Sequence, residues 1–296
     1  MIPLDTGISS RQIYLDSEYA TFQVGNNTSD CVWIFSEYIS TPPNVSILLS
    51  VVDIEIPLAF YVINENNNTI AFTSSTGGNY TYTIAIGNYS TDDLLTELTT
   101  TVPMTTASNW SDTYSPASDL SSMTITYSHL TNKISFDASG CSTSPQDMLL
   151  SSTASEILGF TKTTTHTFES DILTSNNAVN LAGITSIYID SNFQTQSLDS
   201  KSLSSSTILC KIPVDISSLG ILVWTNATGF KTHIKESHLN VIRLRLLDPD
   251  RNLLNLNGVD WTATLQCDFV RTKVYTTSNT ELAQTLTETR RIIKKK

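Results

Sequence analysis

A chain of 296 residues with 40% hydrophobic and only 15% charged side chains is long enough to bury a core without covalent staples. Its net charge is −11, and five of its 17 basic residues, Arg290, Arg291, Lys294, Lys295 and Lys296, crowd the last seven positions. The remaining body is more acidic still and repels polyanions, so any nucleic-acid contact has to run through this tail. Cys31, Cys141, Cys210 and Cys267 lie far apart, with no C-x-x-C pair and no histidine at ligand spacing, so neither a disulfide framework nor a zinc site is expected. A reducing, cytosolic place of assembly fits best.

The 39 serines and 43 threonines favour pleated strands joined by polar turns, which makes the fold class all-β. The first twenty residues lack a basic stretch followed by an apolar run, so no secretory signal is expected. No run of 18 apolar residues marks a membrane-spanning segment.

In chain order, strands are predicted at Val32–Phe35, Asn44–Pro57, Leu58–Asn64, Tyr80–Ile86, Met123–Ser128, Lys133–Ala138, Thr185–Asp190, Ser206–Val214, Gly220–Asn226 and Leu239–Leu247. The last is "NLNGVDWTATLQCDFV", Asn255–Val270. There an Asn-Gly turn signal precedes alternation of Val259, Trp261, Ala263, Leu265, Cys267 and Phe269 against polar neighbours. Burial of Trp261, Leu265 and Phe269 together is expected, with Thr262, Thr264 and Gln266 on the open face. Ten or eleven strands exceed one ordinary sheet, so two packed sheets are implied. "SHLTNK" reads as a hairpin loop. Two short helices are expected, one capped by Ser90 with a stripe of Leu94, Leu95 and Leu98, the other opened by Thr153 and Glu156 and stopped by Gly159.

Enzymatic signals are missing. No G-x-S-x-G elbow or Gly-rich phosphate loop follows a strand. Asp92 and Asp93 read as helix-start residues. His129, His166, His233 and His238 are not spaced to ligate one metal. "DPDRNL" has the opening spacing of a calcium loop, but Leu253 stands where glycine is needed and Val259 where a bidentate Glu is needed, so a tight turn is the better account. Eight N-x-S/T triplets are close to what so much Asn, Ser and Thr produces by chance. No catalytic, cofactor-binding or metal residue is assigned.

Arg243 and Arg245 alternate with Ile242, Leu244 and Leu246, giving a strand with one basic and one apolar face. The simpler reading pairs these arginines with carboxylates of the acidic body. The sharper one is an intersubunit contact.

The order of four stretches, Ile47–Ile70, Tyr82–Leu98, Asn132–Phe160 and Leu244–Gln266, together with the strands of Ile184–Val214, resembles the penton, or minor capsid, proteins of virophages of the Mavirus type and of related Maverick/Polinton elements. That resemblance implies a single jelly-roll β-sandwich of two four-stranded sheets over residues 1–275 with long loop insertions, and a basic tail over 276–296. It implies a non-enzymatic, cofactor-free structural virion protein, a homopentamer at icosahedral vertices contacting the major capsid protein and assembled in the host cytoplasm. The tail would contact capsid neighbours or packaged DNA. An alternative is a carbohydrate-binding or adhesin-like β-sandwich, suggested by Tyr and Trp in "NWSDTYS", Asn109–Ser115.

Overall fold

The computed structural model describes residues 9–41, 44–74, 79–99, 110–112, 122–141, 145–148, 152–162, 164–217 and 219–271. The chain forms two compact units, Met1–Leu58 with Ser186–Lys296, and Ala59–Thr185. The first unit opens with strands β1 (Ser9–Asp16), β2 (Phe22–Gln23), β3 (Asp30–Ser40) and β4 (Val45–Pro57). The second contains β5 (Thr69–Ser74), β6 (Asn79–Thr83), helix α1 (Thr91–Thr99), β7 (Trp110–Asp112), β8 (Thr124–Ser128), β9 (Lys133–Asp137), β10 (Pro145–Met148), β11 (His166–Thr167) and β12 (Ile172–Thr174). The chain then returns with β13 (Ser186–Ser191), β14 (Leu198–Asp199), β15 (Ser204–Ser205) and β16 (Ile208–Pro213). It finishes with β17 (Ile221–Thr225), β18 (Thr232–Ile234), β19 (His238–Leu247) and β20 (Thr262–Arg271).

The first unit is a sandwich of two antiparallel sheets. One runs β1-β20-β4-β17, with β18 also on β4, and the other runs β16-β13-β19-β3-β2. Its eight principal strands, in chain order β1, β3, β4, β13, β16, β17, β19 and β20, pair by a simple rule. First pairs with eighth, second with seventh, third with sixth and fourth with fifth. Each sheet carries a fifth strand beyond the expected four, β18 and the two-residue β2.

Alternation explains which faces meet. β19 buries Ile242, Leu244 and Leu246, and β20 buries Ala263, Leu265 and Cys267. On β4 the buried positions change parity, from Ile47, Leu49 and Val51 to Ile54 and Ile56. A bulge makes this possible: Leu265 pairs Val51 and Thr264 pairs Asp53, leaving Val52 unpaired by register, and its carbonyl accepts the Asn226 N–H at 2.8 Å. Trp33 of β3 and Trp261, next to β20, meet edge-to-face at 5.9 Å, joining the two sheets through the core.

The closing strand corrects two expectations. Phe269 is only half-buried, because the alternation of buried apolar side chains ends at Cys267, and Val259 is exposed in the turn before the strand starts. The turn itself is as read: Asn257 and Gly258 both have positive φ, 52° and 77°, and the Val259 N–H donates to the Leu256 carbonyl at 3.0 Å.

The second unit, Ala59–Thr185, has its own hydrophobic core. Sheets β11-β10-β5-β6-β7 and β12-β9-β8 contribute Phe72 and Phe136, whose rings meet at 5.5 Å, and α1 contributes Leu94 and Leu98. Ser90 caps α1 as expected: its Oγ accepts the Asp93 N–H at 3.1 Å, while Asp93 Oδ2 accepts the Ser90 N–H at 3.3 Å. The hairpin predicted at "SHLTNK" joins β8 to β9, with Ser128 opposite Lys133. Two other expectations fail. Leu58–Asn64 forms no strand although Leu58, Phe60 and Ile63 are buried, because its pairing is a single bridge from Ile63 to Gly87 and not a ladder. The second helix is a run of turns: Thr153 Oγ1 accepts the Thr69 N–H at 2.9 Å in place of capping, and Glu156 pairs with Lys162 at 3.1 Å.

None of the four cysteines is in a disulfide, and burial pushes the thiols of Cys31, Cys210 and Cys267 up to about 12. At pH 8 only about one in 10⁴ of each is thiolate, so reaction with a thiolate-directed reagent should be roughly 10³-fold slower than for a free cysteine. Labelling of the folded chain should therefore spare buried Cys31 and Cys267, and reach four equivalents only on denaturation. Rapid labelling of three or more thiols in the native protein would contradict these burials.

Candidate functional site

The outward face of the second sheet carries the two sequence-predicted arginines. Because β19 turns Ile242, Leu244 and Leu246 inward, Arg243 and Arg245 point out, and the register sets Arg245 between Asp30 of β3 and Asp190 of β13. Arg243 donates to Asp30 in a bidentate fork, Nε to Oδ1 at 2.7 Å and Nη2 to Oδ2 at 2.6 Å. The Arg245 Nε donates to Asp190 Oδ2 at 2.7 Å, and Asp190 also accepts the Thr207 hydroxyl. Asp30 and Asp190 side chains are 6% and 4% exposed, whereas the arginines are 38% and 39% exposed. Each guanidinium therefore neutralises a buried carboxylate of its own chain, the simpler of the two readings. Hydrogen bonding from Arg243 to Asp30 holds that guanidinium above its ordinary range.

Beyond Leu247 the chain turns at Asp248–Asn252, where Asp248 Oδ1 accepts the Asn252 N–H at 2.8 Å and Oδ2 accepts the Asn252 amide at 3.0 Å. The motif resembling a calcium loop thus satisfies its first carboxylate internally. The turn presents Arg251, in the left-handed region at φ 71°, over the ring of Tyr188 at 3.8 Å. Its Nη2 donates to Asp199 at 3.0 Å, while Nε and Nη1 are closed to solvent and have no acceptor among the described residues. Asp199 belongs to the short β14–β15 hairpin. Its carboxyl is held below the ordinary range first by the Lys201 backbone N–H, at 3.1 Å, and then by Arg251. Lys201 in turn pairs with Asp250 at 2.9 Å. Hairpin, turn and ladder enclose a cleft of about 420 Å³ lined by Arg245, Arg251, Lys201, Asp190, Asp199 and the serines and threonine of 202–207.

The sequence marked the "DPDRNL" turn and Arg245 but not this cleft. Arg251 and Asp199 are 52 residues apart, and the intervening hairpin strands are two residues long, too short to carry periodicity. The tail residues Arg290, Arg291, Lys294, Lys295 and Lys296 lie outside the described residues, as does most of Asn109–Ser115. Among the described residues no group of three or more His, Cys, Asp or Glu side chains is placed to hold a metal, and no helix is long and apolar enough to cross a membrane.

On the opposite sheet, Asp268 is buried and held by Lys231, by the Ser10 hydroxyl at 2.6 Å and by the Gln266 amide at 2.8 Å. Burial raises its pKa, but these donors together outweigh burial, and the carboxyl titrates below its ordinary 3.8. A carboxyl depressed in the folded state contributes stability that is present above 3.8 and is lost as pH falls through the lower folded value. Urea melts of the Asp268→Asn variant should therefore show a smaller loss of stability between neutral pH and the acid limit than the parent. Parallel pH profiles would rule this group out.

No protein-family model matches the chain, and no curated protein matches it in sequence. Among solved structures, the crystal structure of selenomethionine-labelled mavirus penton protein is similar, with a TM-score of 0.41 and 12% identity over 88% of this chain and 100% of that one. A likeness of that size does not place the chain in a family.

Proposed function

We propose that this chain is a jelly-roll capsid protein of the vertex-forming, penton type, assembling as a homopentamer in the virion and contacting a major capsid protein. The observation that carries the reading is the pairing of eight strands as first with eighth, second with seventh, third with sixth and fourth with fifth. It is the order produced when one long antiparallel ribbon of four strand pairs is rolled into two sheets, the double Greek key of a jelly roll. The motif order described above supports the penton type.

The sheet β1-β20-β4-β17 also offers two unlike apolar borders. At one end Tyr14 of β1 is 75% exposed, and at the other Ile221 and Val223 of β17 are each 62% exposed. A closed ring needs two different complementary surfaces on every subunit. Each contact should bury more than about 1,000 Å².

Analytical ultracentrifugation and electron microscopy of the full chain, alone and coexpressed with a major capsid protein, test the proposal. A species of about five times the 32.6 kDa chain is expected, and Val223→Asp should dissociate it while changing the melting of the subunit little. Removal of Arg290–Lys296 should leave that ring intact but reduce vertex incorporation or DNA retention, the latter in a salt-dependent way. A chain that stays monomeric under all assembly conditions and binds glycans instead would favour the adhesin-like alternative.

A further inference from the structure

We infer that neighbouring copies of this chain join by main-chain hydrogen bonds between β17 of one copy and β1 of the next, so that the sheet β1-β20-β4-β17 runs on from copy to copy. The number of copies rests on the vertex reading above, whereas the contact rests on the two edges themselves. Among the described residues neither β1 nor β17 has a strand on its outer side. An open edge is ordinarily guarded by charge, proline or a bulge. β17 has none of these: the chain from Ile216 to Phe230 contains no charged residue and no proline, and the register with β4 is unbroken. Ile221 and Val223 stand exposed along it, beside Leu219, an exposed side chain on a left-handed backbone at φ 68°.

The β1 edge matches the β17 edge in direction, parity and chemistry. Every pairing in this sheet is antiparallel, so β17 meets the next copy's β1 antiparallel as well. The Leu58 N–H donates to the Gly220 carbonyl and the Asn226 N–H to the Val52 carbonyl, both at 2.8 Å, so the even-numbered residues of β17 face β4. Ile221, Val223 and Thr225 therefore turn their N–H and C=O groups to the open edge. On β1 the Ser17 N–H donates to the Trp261 carbonyl at 3.0 Å, which leaves Ser10, Gln12 and Tyr14 facing outward. Setting Ile221 opposite Tyr14, Val223 opposite Gln12 and Thr225 opposite Ser10 gives each pair two main-chain hydrogen bonds. The same register sets Leu222 beside Ile13 and Trp224 beside Arg11, an apolar pair and a cation–π pair, with no charge opposite an aliphatic side chain. A shift by two residues would set Ile221 against Asp16. Pairing β17 with a second β17 would leave β1 open on both copies, whereas a closed ring of β17-to-β1 joins leaves no edge open on any copy. Exposed Ile34 and Tyr38 lie on β3, which shares a cleft with β1, and they widen the contact beyond the two strands.

Sedimentation of the full chain and of its edge variants tests the inference. Val223→Pro and Gln12→Pro each delete an N–H that faces the open edge and no hydrogen bond within the subunit, a position where a sheet tolerates proline. Each variant alone should stay folded by circular dichroism and sediment as a monomer. Mixed, they should form a species of twice the 32.6 kDa chain and nothing larger, because each supplies the one edge that the other lacks. A second measurement does without the prolines. Tyr14→Cys and Ile221→Cys in one chain, with Cα atoms about 5.5 Å apart across the join, should give disulfide-linked oligomers beyond the dimer on a denaturing gel, and neither single variant should. A parent ring of five that persists in both proline variants and yields no such crosslinks overturns the contact and leaves the vertex reading standing. The heterodimer and crosslinks from a parent that assembles in another number uphold the contact and remove the vertex reading. If Gln12→Pro assembled like the parent while Val223→Pro did not, β17 would be pairing with itself and the inference would fail. A parent that is monomeric under all assembly conditions overturns both.

Discussion

Truncating Trp261 to alanine is expected to cost about 3–5 kcal/mol, the range for large aromatic side chains removed from a packed core. Trp261 is 1% exposed and its ring stands edge-on to Trp33. Its indole Nε1 donates to the Thr28 carbonyl at 2.6 Å, and its backbone N–H donates to Ser17 Oγ at 2.9 Å. Ser17 lies just after β1, Thr28 just before β3 and Trp261 just before β20, so one residue ties together the ends of the first, second and eighth principal strands. The melting temperature should fall by roughly 2–4 °C for each kcal/mol lost. Trp261→Phe retains much of the apolar volume but leaves the Thr28 carbonyl only the Cys31 thiol, at 3.1 Å, as a donor, a loss of about 1 kcal/mol. If urea denaturation put Trp261→Ala within 1 kcal/mol of the parent, the assignment of this residue as the keystone between sheets would fail.

The parts of the fold legible in the sequence are those where one physical signal repeats. β19 and β20 each run ten residues, long enough for period-two alternation to set the buried face, and the Asn257-Gly258 turn before β20 follows from backbone preference alone. Ser90 and Asp93 make a local cap that needs no tertiary partner. Legibility ends where a distant residue decides. Thr153 has the right neighbour for a capping box, but Thr69, 84 residues away, claims its hydroxyl. Leu58–Asn64 is apolar enough for a strand, but its pairing stops at the single bridge from Ile63 to Gly87. The candidate site divides in the same way: Arg243 and Arg245 were visible as a basic strand face, whereas their carboxylates, Asp30 and Asp190, lie 213 and 55 residues away and were not. Those partners make the face a set of ion pairs that join three strands.

Any side chain at position 159 is expected to destabilise the second unit by about 3 kcal/mol or more. Gly159 has φ 84°, in the left-handed region where a non-glycine residue costs of order 1–3 kcal/mol. Space is the larger obstacle: a Cβ there would lie 2.3 Å from the Asn177 carbonyl oxygen and 2.9 Å from the Ala178 carbonyl. That passing strand of backbone cannot withdraw cheaply, since the Asn177 N–H donates to the Gly159 carbonyl at 2.8 Å and the Asn180 N–H donates to Ile157 at 2.8 Å. The flanking Leu158 and Phe160 are core residues, so a shift on the other side opens a cavity. Two controls separate the causes. Asparagine tolerates a left-handed backbone, so Gly159→Asn should relieve the strain but not the clash and remain strongly destabilised. Gly258, also at positive φ but with nothing near its missing Cβ, should lose only about 1–2 kcal/mol as alanine. Hydrogen exchange should localise the Gly159→Ala damage to residues 152–180, and protection there equal to the parent's would show that the crossing backbone is free to move.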